Sequence, residues 1–128
     1  ALPPFDYIAP RTLEELAGVL AARGPRARIL AGGTDLVLLL RERQIEADCL
    51  IDIGKLAALR GIARTADGGL TIGATTRIRE VECSPLVREH YRALAEAAGA
   101  LGSKQIRLMA TLGGNACNAS PAAETPPA

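Results

Sequence analysis

At 128 residues with 48% hydrophobic content, the chain is one domain's worth of folded protein, not a disordered tail. Fifteen basic and 14 acidic side chains leave a formal charge of +1, with no dense basic run, which argues against a polyanion-binding face. Phe5, Tyr7 and Tyr91 are the only aromatics, too few for a base-stacking surface, so the core must come from Leu, Ile, Val and Ala. Cys49, Cys83 and Cys117 form no C-x-x-C pair, and with the single His90 they are too few and too far apart for an iron–sulfur or zinc site. The odd cysteine count gives no disulfide framework and fits a reducing compartment. No apolar run approaches the roughly 20 residues of a membrane helix. The opening Ala-Leu-Pro-Pro is neither a signal nor a transit peptide, and the expected location is the cytoplasm.

Phe5 to Ala9 reads as a short strand stopped by Pro10. Thr12, with Glu15 three residues on, predicts a capping box, and Leu13, Leu16, Ala17 and Leu20 mark the face of a helix that Gly24-Pro25 ends. Arg28 to Ala31 is a second strand feeding into Gly32 and Gly33, after which Asp35 can open a helix through Leu36 to Arg43. Cys49 to Ile53 is apolar enough for a buried parallel strand, so the order is β-α-β-α-β, an α/β signature. Leu59 to Arg64 and Leu70 to Ala74 form an expected antiparallel hairpin turning at Asp67-Gly68. Thr76 to Glu82 reads as a short helix ending near Ser84-Pro85, and Pro85 suits the first turn of another. Arg88 to Leu101 is expected to be helical, with Leu94, Ala97, Ala98 and Leu101 on one face. Thr111 to Asn115 then opens a glycine-rich segment, and the closing Glu124 to Ala128 suits neither helix nor strand.

Two glycine-bearing stretches stand out, Ala31-Gly-Gly-Thr-Asp35 and Ala110-Thr-Leu-Gly-Gly-Asn115. Successive amides in a tight turn form a concave nest for phosphate oxygens, and glycine removes the Cβ that would hold a ligand away. Two such loops suggest two phosphates, or one diphosphate gripped from both sides. The bland reading of the first is a strand-to-helix turn needing glycine for its φ angles. Neither stretch is the dinucleotide fingerprint G-x-G-x-x-G, which argues against a Rossmann domain.

AGGTDL (Ala31 to Leu36), TIGATT (Thr71 to Thr76) and the terminal ATLGGNACNASPAAETPPA, in that order, resemble the FAD-binding subunit of the molybdenum hydroxylases. That family includes xanthine, carbon monoxide and nicotinate dehydrogenases. The likeness runs over nearly the whole chain, from Phe5. It implies an α+β flavin-binding fold of the vanillyl-alcohol oxidase and molybdopterin dehydrogenase type. A small β-α-β-α-β subdomain would occupy residues 1–56, and residues 57–128 would begin a larger mixed subdomain of a longer subunit. By the same resemblance the cofactor is FAD, contacted by Ile29, Leu30, Ala31, Gly32, Gly33, Thr34, Asp35 and Leu36. Thr111, Gly113, Gly114 and Asn115 would form a second contacting loop. Leu101 and Glu124 are further candidates, the glutamate standing where relatives mostly carry aspartate. Gly73 and Thr75 of TIGATT divide evenly between cofactor contact and packing. Lys104 and Arg107 could offset the diphosphate charge, although a solvated turn or a subunit contact explains them better.

No Ser-His-Asp set, metal cluster or carboxylate pair can be assembled, which moves the chemistry onto a cofactor. The resemblance implies partners: a small subunit carrying 2Fe-2S clusters and a large molybdopterin subunit that hydroxylates substrate. Electrons would pass from the clusters through FAD to an acceptor such as NAD or a quinone. Two alternatives stay open: a free-standing FAD oxidase or dehydrogenase, and a non-catalytic assembly subunit of the same fold.

Overall fold

The computed structural model describes residues 2–120 and 122–128; Ala1, and Pro121 within the terminal motif, lie outside the described residues. The chain divides into two compact units, Ala1–Ala58 and Leu59–Ala128.

The first unit contains β1 (Asp6–Ile8), α1 (Leu13–Arg23), β2 (Ala27–Leu30), α2 (Leu36–Arg41) and β3 (Cys49–Asp52), the expected alternation. The strands form one parallel sheet in the order β1-β3-β2. The central strand is the apolar one: Cys49, Leu50 and Ile51 are all buried, as a strand paired on both edges requires. Leu40, Ala47 and Leu50 form a core cluster, joined by Phe5, Leu36 and Ile45. Helix α1 starts where the capping box placed it, with Thr12 Oγ1 accepting from the Glu15 amide at 3.1 Å. The return arm reaches one residue further back, since the Glu15 carboxylate accepts from the Arg11 amide. Gly24 ends the helix at φ 71°, a left-handed value that favours glycine.

The two rims of this sheet differ. At the end where the strands begin, Arg26 holds Asp48 through two bonds of 2.7 and 3.0 Å and also pairs with Glu46, while Arg23 meets Asp6 at 2.8 Å. The guanidinium holds the Asp48 carboxyl below its usual range. These pairs are exposed, so they fix register more than they add stability. The opposite rim carries the loops that leave β1, β2 and β3.

The second unit opens with the hairpin of β4 (Ile62–Arg64) and β5 (Leu70–Ile72), antiparallel, with Ile62 opposite Ile72. Gly68 takes φ 89° in the turn as expected. Five helices follow: α3 (Ile78–Cys83), α4 (Pro85–His90), α5 (Arg92–Ala100), α6 (Lys104–Met109) and α7 (Leu112–Asn118). The helix expected from Arg88 to Leu101 is broken, because Tyr91 leaves helical geometry at φ −139°, ψ 59° and separates α4 from α5. Helix α6 is not foreshadowed by an apolar face; its start rests on Ser103, whose hydroxyl accepts from the Ile106 amide. The core joins Ile78, Val81, Val87, Ala95, Ala98, Leu101 and Ala110. Small residues on α5 let α3 approach closely: a Cβ at Gly99 would lie 3.1 Å from Glu82 Oε1.

TIGATT ties this unit together. Thr75 donates both its amide and its hydroxyl to Leu59 O, at 2.8 and 2.9 Å. Thr76 exchanges bonds with the Gly61 backbone, and its own carbonyl accepts from the Leu112 amide. Gly73 lies against the chain before β4, so a Cβ there would stand 2.2 Å from Leu59 O and 2.7 Å from the Arg60 nitrogen. Of the two roles open to Gly73 and Thr75, packing is the one these contacts fill. The Arg107 and Glu82 side chains, 14% and 16% exposed, pair at 3.1 Å, and Arg107 also donates to the Leu101 and Gly102 carbonyls. Arg79 pairs with the same carboxylate at 2.8 Å.

Two measurements check these assignments. Gly73→Ala should destabilise the protein by about 3 kcal/mol in urea unfolding, because backbone atoms must move to admit the methyl. Arg79 above all, with Arg107, holds the Glu82 carboxyl below its usual range, so its contribution is complete above the unfolded value of about 4.3. That contribution is lost as pH falls through the lower folded value. Glu82→Gln should therefore be less stable than wild type near neutrality and lose less on acidification below about pH 4.3.

Candidate functional site

In a parallel sheet the loops at the carboxyl ends of the strands share one rim, where ligands of open α/β sheets bind. The exits after β1 and β3 use backbone donors locally. After β1, the Arg11 amide bonds Glu15 and Thr12 caps α1. After β3, the Gly54 amide bonds Asp52 Oδ1 at 2.8 Å and the Leu56 amide bonds Ile53 O at 3.1 Å. The far Asp52 oxygen takes the Tyr7 hydroxyl, which raises the tyrosine pKa.

The exit after β2 is different. The ladder closes with the Ile53 amide bonding Leu30 O at 3.0 Å, and the next intrachain donor along this segment is the Val37 amide, which bonds Gly33 O at 3.1 Å. Among the described residues, the six amides of Ala31, Gly32, Gly33, Thr34, Asp35 and Leu36 have no acceptor. Gly33 takes φ 79°, and a Cβ there would come within 3.1 Å of Leu30 Cδ1. The turn thus needs glycine for its backbone angle, as its bland reading held, and its six amides also stay without an acceptor among the described residues. Asp35 occupies the N-cap position of α2, but its side chain makes no capping bond. Thr34 is half-buried, Ile29 is exposed and Leu30 half-buried.

The second glycine stretch is a helix, not a loop. Thr111 caps α7, with its hydroxyl accepting from the Gly114 amide at 3.1 Å. The Gly113 amide bonds Ala74 O at 2.9 Å and the Asn115 amide bonds Thr111 O at 3.0 Å. The three amides expected to face a diphosphate are therefore already spent inside the chain. Gly113 is glycine for a packing reason, since a Cβ would lie 2.8 Å from both Ala74 Cβ and Ala74 O. Tertiary contact has overridden the low helix propensity of paired glycines.

The remaining candidates divide. Leu101 is buried in the core of the second unit, and Glu124 is half-buried. Lys104 is exposed, and Arg107 is committed to Glu82. Asn115 keeps a free side-chain group: its Oδ1 accepts from the Thr125 hydroxyl, while among the described residues its Nδ2 has no acceptor. Thr125 escaped notice in the sequence because its role depends on the chain folding back after α7. Cys117 is exposed. No group of three metal-ligating side chains occurs among the described residues. No helix there is long and apolar enough to cross a membrane.

Comparison with known proteins fits this geometry. The model of the FAD binding domain in molybdopterin dehydrogenase matches residues 3–128. The nicotinate dehydrogenase FAD-subunit of Eubacterium barkeri is 41% identical over 121 residues, covering 94% of this chain and 40% of that protein. The xanthine dehydrogenase FAD-binding subunit of Escherichia coli O157:H7 is 37% identical over 123 residues, 94% of this chain and 42% of its own length. Reconstituted CO dehydrogenase from Oligotropha carboxidovorans has a chain that superposes with a TM-score of 0.94 at 29% identity, covering 98% of this chain and 44% of that one. The chain thus spans about two fifths of the length of the curated relatives it matches. With one family model covering residues 3–128 and an α+β fold shared with these structures, the chain belongs to the FAD-binding domain family of the molybdopterin dehydrogenases.

Proposed function

We propose that this chain is the FAD-holding part of an electron-transfer subunit in a multi-subunit molybdenum hydroxylase, an oxidoreductase. In this reading electrons reach FAD from 2Fe-2S clusters on a small partner subunit, while a large molybdopterin subunit carries out substrate hydroxylation. An acceptor such as NAD or a quinone removes them. The observation that carries the reading is the run of six unpartnered amides from Ala31 to Leu36 in a member of an FAD-binding family.

The residues present fit the cofactor. An unbroken run of amide donors beside a glycine at φ 79° suits the close approach of a diphosphate, with the Thr34 hydroxyl as a further donor. Ile29, Leu30 and Leu36 supply apolar flanks. From the second motif, Thr111, Gly113 and Gly114 set α7, and Asn115 offers its side-chain amide to the cofactor. Leu101 and Glu124 are retained on family resemblance; Leu101 acts through the core, and Glu124 offers a carboxylate to cofactor hydroxyls. FAD, when bound, supplies the redox chemistry, and these residues hold it and limit its contact with water.

The full-length protein, purified with its companion subunits, should show flavin absorption and contain iron and molybdenum. Colourless protein that stays colourless after soaking with FAD would overturn the reading. Gly33→Ala places a methyl at a left-handed φ in a half-buried turn, 3.1 Å from Leu30 Cδ1, which should cost about 1–2 kcal/mol of unfolding free energy. FAD affinity should fall about tenfold as the turn is displaced. Gly113→Ala should lower the melting temperature, because its clash is with the packed Ala74 backbone.

A further inference from the structure

We propose that Thr125 is a positioning residue that fixes the Asn115 amide with its Nδ2 donors presented to the cofactor, an inference that rests on the FAD reading above. An asparagine side chain offers one acceptor and two donors, and a ligand can meet either end. Here the hydroxyl of Thr125, a residue only 5% exposed, donates to Asn115 Oδ1 and so holds that end of the amide. The Nδ2 group has no acceptor among the described residues, and Asn115 itself is half-buried.

The chain is shaped to make this bond. Helix α7 ends at Ala119 with φ 51°, a left-handed value unusual for alanine. The Ala123 amide then bonds Ser120 O at 2.9 Å, and the Ala128 amide bonds Thr125 O at 3.1 Å. The bond itself sets Thr125 beside α7, ten residues after Asn115. With Oδ1 held by Thr125, Asn115 presents its Nδ2 donors to a group that accepts, such as a phosphate oxygen. The backbone amides of α7 cannot take that role, since Gly113, Gly114 and Asn115 already donate within the chain.

The test is titration of FAD into the full-length apoprotein by quenching of flavin fluorescence, with the melting temperature of each apo variant measured alongside. Thr125→Ser keeps the hydroxyl and should bind FAD within about twofold of wild type. Thr125→Val keeps the shape, releases the Asn115 amide to rotate, and should bind about tenfold more weakly. Asn115→Asp retains an acceptor for Thr125 but presents a carboxylate oxygen outward, and its affinity should fall by more than that of Thr125→Val. A valine variant that binds like wild type, or a serine variant that fails like valine, overturns the proposal. So does an aspartate variant that binds normally, an arm that decides the matter if the valine variant does not fold. Failure of the wild-type protein to bind FAD overturns the functional reading itself; normal wild-type binding with unaffected variants overturns only the role of Thr125.

Discussion

The site depends on where one β-ladder stops. Strand β2 makes its last bond to β3 through the Leu30 carbonyl, and Ala31 and the two glycines follow. Had pairing continued two residues further, the amides of the turn would have been drawn into the sheet. Instead the chain leaves the ladder, turns through Gly33 at φ 79° and re-enters hydrogen bonding at Val37. The interval between is a set of oriented donors on a rigid support. It lies at the rim where parallel strands end, the usual place for an anionic ligand in an open α/β sheet. The ion pairs of the opposite rim, Arg26 with Asp48 and Arg23 with Asp6, hold the register that puts the ladder's end there.

The two glycine motifs look alike in sequence and differ in physics. In the first, glycine serves backbone angle and donor exposure. In the second, Gly113 serves a close approach to Ala74, and its neighbours' amides are consumed by the Thr111 cap and the first turn of α7. What the second motif keeps for a ligand is a side chain, Asn115, oriented by Thr125. TIGATT supports it indirectly, since the carbonyls of Ala74 and Thr76 receive the first amides of α7.

Much of the fold was legible. The Thr12–Glu15 spacing located the start of α1, the apolar residues Cys49, Leu50 and Ile51 marked the buried strand, and Asp67-Gly68 marked the hairpin turn. These signals are local, and local chemistry decides them. The failures were tertiary. Nothing in the composition around Tyr91 announces a break, because neither Gly nor Pro lies between Leu86 and Ala98. A segment with Gly113-Gly114 reads as a loop until the surface of Ala74 that receives it is known. Within the site, the run from Ala31 was recognisable from its glycines and the family likeness, but the absence of acceptors for its amides was not. Thr125 carried no signal, because a threonine near prolines suggests only a turn.

Amide hydrogen exchange on the full-length protein, with and without FAD, tests the central claim most directly. FAD should slow exchange across Ala31 to Leu36, whose amides have no acceptor among the described residues, and leave Gly113 to Asn115 nearly unchanged because they are bonded already. New protection confined to Gly113 to Asn115, with the first turn exchanging as freely as before, would contradict it.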